Sequence, residues 1–326
     1  MNARAEGTLI GLALGDALGM PTQMLTRARI TELFGVLDRF HPGPLENPIS
    51  PGQLPGTVTD DTEQAVILAR LLIDGGGVVD LASFATALSD WHQAMAAKGS
   101  LDLLGPSTLR AIEAYRAGTP AEDTGRWGDT NGAAMRVAPL GIAHRVFPIG
   151  AFVDEVAAVN LLTHNTRIAN AGAAAIGAAV SAGIDGADIR DVLEVAVEAA
   201  EEGARRGHPT PGASVPHRIR WALSLAVGPD PLDAIEMLVG TSVATQEAVP
   251  AALAIVAAYR DDPWGGVLAA AGLGGDSDTV AAMAGAVLGS IHGVEAFPVD
   301  EVAHLELVNP DLHLRSLAIR LMELRA

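Results

Sequence analysis

The chain contains no cysteine. Disulfides, a thiolate nucleophile and Cys-ligated zinc are therefore excluded. Aromatic residues make up only 4% of the 326 residues, against 49% hydrophobic, with alanine and glycine supplying much of the bulk. A core so poor in rings and so rich in small side chains points to closely packed helices rather than a β-rich fold. Basic residues are few, 21 Lys and Arg against 39 Asp and Glu, a formal net charge of −18. Such a surface repels phosphate backbones and anionic bilayers, so neither nucleic acid nor membrane is an expected partner. Bound cations would offset part of that charge. No basic segment followed by a long apolar stretch opens the sequence. No secretory signal is expected, and the cytoplasm is the expected location. The most apolar stretch, Ile168 to Ile184, contains Asn170 and Ser181 and reads as a buried helix that falls short of a membrane span.

Also absent are the G-x-S-x-G elbow, the H-E-x-x-H zinc motif and the G-K-[ST] ending of a Walker A loop. No stretch alternates with period two, no repeat recurs at fixed spacing and no linker divides the chain. Helical periodicity runs throughout, and the expected fold is all-α, a single domain over 1–326 with roughly a dozen or more helices. Ala5 to Leu18, Thr62 to Asp74, Arg167 to Ala182 and Asp278 to His292 read as helices. So do Ala133 to Val146 and Ala303 to Met322, each as one continuous element. Thr119 to Asn131 reads as irregular. His41 to Val58 is a long loop rich in proline and glycine that leads directly into Thr59.

Two short acidic clusters carry the chemistry, Thr59-Asp60-Asp61-Thr62 and Asp276-Ser277-Asp278-Thr279. Asp and Thr are ordinary helix caps, but a cap needs one such residue. Adjacent carboxylates repel unless a cation or donors compensate. Hard divalent cations take carboxylate and hydroxyl oxygens, so the two clusters read as one converging metal site. Gly274 and Gly275 allow a tight turn and leave room for a ligand. Asp276 and Asp278 alternate, and an extended start would aim both at the same place. The run Gly128-Asp129-Thr130-Asn131-Gly132-Ala133-Ala134-Met135-Arg136 is a turn entering an alanine helix. It is either a plain transition or an anion-binding helix start. His164 reads more readily as a structural hydrogen-bonding group than as a ligand. Asp102 is either a general base or a cap for the helix after it. Asp16, among small residues, reads as a buried carboxylate with a structural hydrogen-bonding role.

Taken together, Gly11-Leu-Ala-Leu-Gly-Asp-Ala-Leu-Gly19, Thr59 to Thr62, Gly132 to Arg136, Thr163-His164 and Gly274 to Thr279 resemble the ADP-ribosylglycohydrolase family, which includes dinitrogenase-reductase-activating glycohydrolase. The resemblance implies an all-α fold with a cleft holding two Mg²⁺ or Mn²⁺ ions. It implies Thr59, Asp60, Asp61, Asp276, Asp278 and Thr279 as ligands, with Asp278 bridging. The segment containing Gly128, Thr130, Asn131, Gly132, Ala133 and Met135 is similar to the phosphate-binding loop, and His164 to a contact with ADP-ribose. Gly274 and Ser277 join the substrate side. Asp102 resembles an additional active-site Asp, although D-L-L-G here is one residue longer than the usual D-x-G. Many members carry Glu where Gln23 stands. An amide oxygen can contact a cation or substrate but cannot act as a base at neutral pH. That role then falls to Asp61 or Asp102.

The implied reaction is hydrolysis at ribose C1 through an oxocarbenium-like transition state. The substrate is an ADP-ribosylated protein or small molecule. Gln23 and the polar loop from Gly128 to Asn131 keep open a nucleosidase acting on a small N-riboside, and a further alternative is a non-catalytic ADP-ribose-binding protein. The oligomeric state is open.

Overall fold

Glycine recurs at every fourth position of the first helix, Asn2–Gly19, at Gly7, Gly11, Gly15 and Gly19. This row makes a seam for another backbone. A Cβ at Gly7 would lie 2.5 Å from the carbonyl oxygen of Gly289, one at Gly11 2.2 Å from that of Gly285, and one at Gly15 2.1 Å from that of Ala281. At Gly19 it would lie 2.3 Å from the Asp278 Cα. Partner numbers fall as the glycine numbers rise, so the first helix runs antiparallel to Ser277–His292 with backbone against backbone. This is the most extensively packed helix pair of the described residues. Only residues without a Cβ permit such an approach. It places Gly19 over Asp278, which joins two parts of the sequence far apart in the chain.

The computed structural model describes residues 2–325. Among them are eighteen α-helices and no strand, only isolated bridges. Buried side chains from both ends of the sequence join one hydrophobic core, in which alanine is prominent and aromatic residues are few. The all-α expectation holds.

Helix Arg167–Asp185 lies inside this core. It is long and apolar enough by composition to cross a membrane, contrary to the sequence reading, and 94% of its most apolar window is buried within the protein. Its neighbours include Ile189–Gly203, Ile149–Asn160 and Ser277–His292. Thr166 caps its start, and Gly186, at φ 95°, closes its end in the left-handed conformation.

Several boundaries differ from the sequence reading. The stretch taken as one helix from Ala133 to Val146 is two short helices, Gly132–Met135 and Ala138–Ala143. Pro139 has no N–H for the Met135 carbonyl, so the first cannot continue. Ala303 to Met322 likewise divides into Val299–Val308 and Leu314–Leu324. Pro310 interrupts the ladder, and His313 takes a left-handed φ of 56°. The polar stretch before Asn131 contains a single helical turn, Ala121–Thr124. Helix Asp60–Asp74 starts two residues earlier than expected, with Thr59 as its cap.

Candidate active site

Helix Asp60–Asp74 begins with backbone N–H groups that need acceptors. Asp16, wholly buried on the first helix, supplies them. Its carboxylate accepts from Thr59 N (2.9 and 3.0 Å), Thr59 Oγ1 (2.7 Å), Thr62 N (3.1 Å) and Thr62 Oγ1 (2.5 Å). Burial outweighs these donors and raises the Asp16 pKa to about 6. Asp102 completes the cap, as its Oδ2 accepts from Asp60 N at 3.0 Å. It does not cap the helix after it, Pro106–Arg116, whose N-cap is Gly105 without a side-chain bond. Two remote carboxylates thus hold the first acidic cluster in place.

The second cluster is turned by Gly274 and Gly275, both left-handed with φ 78° and 70°. Cβ atoms there would strike the carbonyl oxygens of Leu25 (2.4 Å) and Thr241 (2.5 Å). The space the glycines leave is filled by neighbouring backbone, not by a ligand. The expected extended start is also absent, because Ser277 already begins a helix. Asp276, at the cap, accepts from Asn131 Nδ2 at 2.5 Å. Asp278 lies in the first turn, buried.

The packing of the first helix on Ser277–His292 brings the clusters together. Asp61 Oδ2 accepts from Thr279 Oγ1 at 3.2 Å and lies 3.4 Å from Thr59 Oγ1, whose proton goes to the nearer Asp16. Asp61 Oδ1 and Asp278 Oδ1 are buried with no hydrogen-bond partner among the described residues. Burial, and then the neighbouring carboxylates, hold Asp60, Asp61 and Asp278 well above the usual range. Burial also raises Asp276, and burial with the nearby Asp16 charge pushes Asp102 to about 7. These groups cannot all ionise without a compensating charge. Among the described residues no three acidic or imidazole side chains are already drawn into a cage. The case for a cation rests instead on two partnerless carboxylate oxygens beside threonine hydroxyls, a donor set suited to a hard divalent ion.

Above them opens a cleft of about 360 Å³. Its lining includes the acidic-cluster residues Asp60, Asp102, Asp276 and Thr279 together with Thr130, Asn131, Gly132, Met135 and His164. Gln23 joins the lining, with its Nε2 buried and unpartnered. Thr59, Asp61 and Asp278 lie outside the lining and are buried. Four expected substrate residues are also outside it. Gly128 packs on the Thr163 carbonyl, where a Cβ would lie 2.2 Å away, and Ala133 is buried in the core. Gly274 lies against Leu25, and Ser277 Oγ pairs with Thr22 Oγ1 at 2.9 Å.

The structure gives roles to residues for which the sequence reading named none. Arg136 is completely buried, yet among the described residues no carboxylate forms an ion pair with it. Its Nη1 donates to Gln64 Oε1 (2.8 Å), its Nη2 to Thr163 Oγ1 (2.5 Å), and its guanidinium lies 5.1 Å from the centroid of Phe84. Burial lowers its pKa to about 10, so it remains charged at neutral pH. Gln64 Nε2 donates to Asp60 Oδ2 at 2.7 Å. Gln64 was detectable, being four residues after Asp60 on the same helix face. Val243 was not, since its part is a main-chain carbonyl that accepts from Asn131 N at 2.9 Å.

The fold is all-α, and carboxylates from two distant segments meet beside a cleft whose lining mixes acidic, hydroxyl and apolar side chains. The profile of the ADP-ribosylglycohydrolase family matches residues 1–326, and the chain belongs to that family. It is 36% identical over 310 residues to the uncharacterized protein YegU of Escherichia coli (strain K12), covering 94% of this chain and 92% of that one. It is 29% identical over 332 residues to the ADP-ribosylarginine hydrolase Tri1 of Pseudomonas putida (strain GB-1), covering 98% and 78%. A solved chain of an ADP-ribosylglycohydrolase-related protein complex superposes with a TM-score of 0.72 at 25% identity, covering 99% of this chain and 98% of that one. The protein is an enzyme that hydrolyses glycosidic bonds.

Proposed function

We propose that the enzyme cleaves the bond at ribose C1 of an ADP-ribosyl adduct, using two Mg²⁺ or Mn²⁺ ions. The ligands in this reading are Thr59, Asp60, Asp61, Asp276, Asp278 and Thr279. The supporting observation is the pair of buried, partnerless oxygens, Asp61 Oδ1 and Asp278 Oδ1. When bound, such ions supply Lewis-acid contacts to ribose hydroxyls and make a water more acidic.

The chain's own residues have separate tasks. Asp16 holds the Thr59 and Thr62 hydroxyl protons, and Thr59 Oγ1 accepts only a long bond from Asp61 N at 3.4 Å, which leaves a lone pair available as a ligand. Of the two candidate bases, Asp102 lines the cleft and Asp61 does not. Asp102 Oδ2 is engaged by Asp60 N, which leaves Oδ1 to accept a proton from the attacking water. The acidic cluster stabilises positive charge developing on the ribose. The lining at Thr130, Asn131 and Gly132 receives the diphosphate side, and the unpartnered Gln23 amide donates to the substrate. Likeness to an ADP-ribosylarginine hydrolase supports an adduct on arginine.

The test is product analysis in Mg²⁺, with an EDTA control, on ADP-ribosylarginine, O-acetyl-ADP-ribose and free nucleosides. ADP-ribose is the expected product. Ribose released from a nucleoside, with ADP-ribosyl substrates intact, would overturn the reading and make the enzyme a nucleosidase.

A further inference from the structure

We infer that Arg136 is a positioning residue that, from behind the cleft lining, fixes the direction of the hydrogen bonds leading to it and makes the Thr130 hydroxyl a donor to the substrate. A guanidinium can only donate. Thr163 Oγ1 must therefore accept from Arg136 Nη2 across their 2.5 Å contact. The proton of Thr163 is then directed to its other side-chain partner, His164 Nδ1, at 2.9 Å. Nδ1 accepts, so a neutral imidazole carries its proton on Nε2. The ring is buried, and burial together with the Arg136 charge holds its pKa well below the usual range. Nε2–H donates to Thr130 Oγ1 at 3.1 Å. Thr130 has then accepted its bond from the protein, and its own proton faces the cleft that it lines.

The same cation also orients Gln64. Arg136 Nη1 takes Gln64 Oε1 at 2.8 Å, which turns the Gln64 amide nitrogen to Asp60 Oδ2 at 2.7 Å. A glutamine or an imidazole can be oriented two ways, and a donor-only neighbour removes the choice. Gly132 holds the arrangement tight, because a Cβ there would come within 3.0 Å of His164 Cε1 and Nε2. Burying a cation without a paired carboxylate is unfavourable. Here the cation serves to orient neutral groups. The cleft thereby selects an acceptor at Thr130, such as a phosphate oxygen, over a donor. Only the identity of that acceptor rests on the proposed function.

The test is ¹⁵N NMR of the protein labelled at histidine, with His164→Gln to assign the resonance, alongside steady-state kinetics on ADP-ribosylarginine. The wild type is expected to show His164 with its proton on Nε2 between pH 6 and 8. Thr163→Val removes the proton given to Nδ1. It should mix the tautomers and raise KM about tenfold, the worth of one hydrogen bond, with a smaller effect on kcat. Thr163→Ser should restore both. Thr130→Val should raise KM similarly while the tautomer stays as in the wild type. An Nδ1–H tautomer in the wild type would overturn the inference, as would Thr163→Val with tautomer and KM unchanged. If ADP-ribosyl substrates are not turned over, the proposed function fails, and the tautomers of the wild type and Thr163→Val still decide this inference.

Discussion

At the scale of single residues, Asp16 has the largest structural task for its size. One buried carboxylate accepts from two backbone amides and two hydroxyls at the start of helix Asp60–Asp74. Asp16→Asn replaces one acceptor oxygen with a donor facing those donors. Hydrogen bonds to charged groups contribute roughly 1.5–3 kcal/mol each, so a loss of about 3 kcal/mol in urea unfolding is expected, with weaker stabilisation by Mg²⁺. An unchanged midpoint would show that Asp16 does not organise this helix start.

His164 gives a pH prediction. The folded protein holds it neutral, with a pKa well below the usual 6.5. Once unfolded, it takes up a proton as pH falls below that value. The unfolded state then binds more protons, so the His164 contribution to stability is lost with falling pH, by up to about 1.4 kcal/mol per unit. His164→Gln should flatten the slope of stability against pH between pH 7 and 5 relative to the wild type. Parallel slopes would contradict a neutral His164. The acidic motifs and the structural reading of Asp16 were legible in the sequence because their residue types are unusual in such patterns. The orienting role of Arg136 was not, since it depends on Gln64 and Thr163 arriving on either side of it.

At the scale of elements, the glycine row places the two acidic clusters. Gly11→Ala would set a Cβ 2.2 Å from the Gly285 carbonyl oxygen and force the helices apart. Overpacking of this kind costs about 1–3 kcal/mol, and the shift should also weaken metal binding at Asp61 and Asp278. Gly150→Ala is the control, because its Cβ would meet nothing within 4 Å. Thermal unfolding with and without Mg²⁺ measures both, and equal behaviour of the two variants would refute the seam. The four-residue glycine spacing stands in the sequence, but its partner is far away in the chain, beyond the reach of local periodicity. Helix types were legible from periodicity and small residues. The false continuity of Ala133 to Val146 and Ala303 to Met322 came from giving apolar period more weight than Pro139 and Pro310.

At the scale of the whole molecule, the charge of −18 and the carboxylates gathered from both ends of the chain act in the same direction. The folded protein concentrates negative charge that cations would neutralise. Removing divalent ions should therefore lower the melting temperature, and Mn²⁺ or Mg²⁺ should restore it through binding to the folded state alone. A melting temperature indifferent to both would count against the cation site. Divalent-metal-dependent hydrolysis is decided by turnover of ADP-ribosylarginine by the wild type and Asp278→Asn, each with Mg²⁺ and with EDTA. The wild type should release ADP-ribose only with Mg²⁺, and a folded Asp278→Asn should lose at least about a hundredfold, the scale of one removed transition-state contact. Undiminished wild-type turnover in EDTA, or an Asp278→Asn variant with normal activity and metal content, would contradict it.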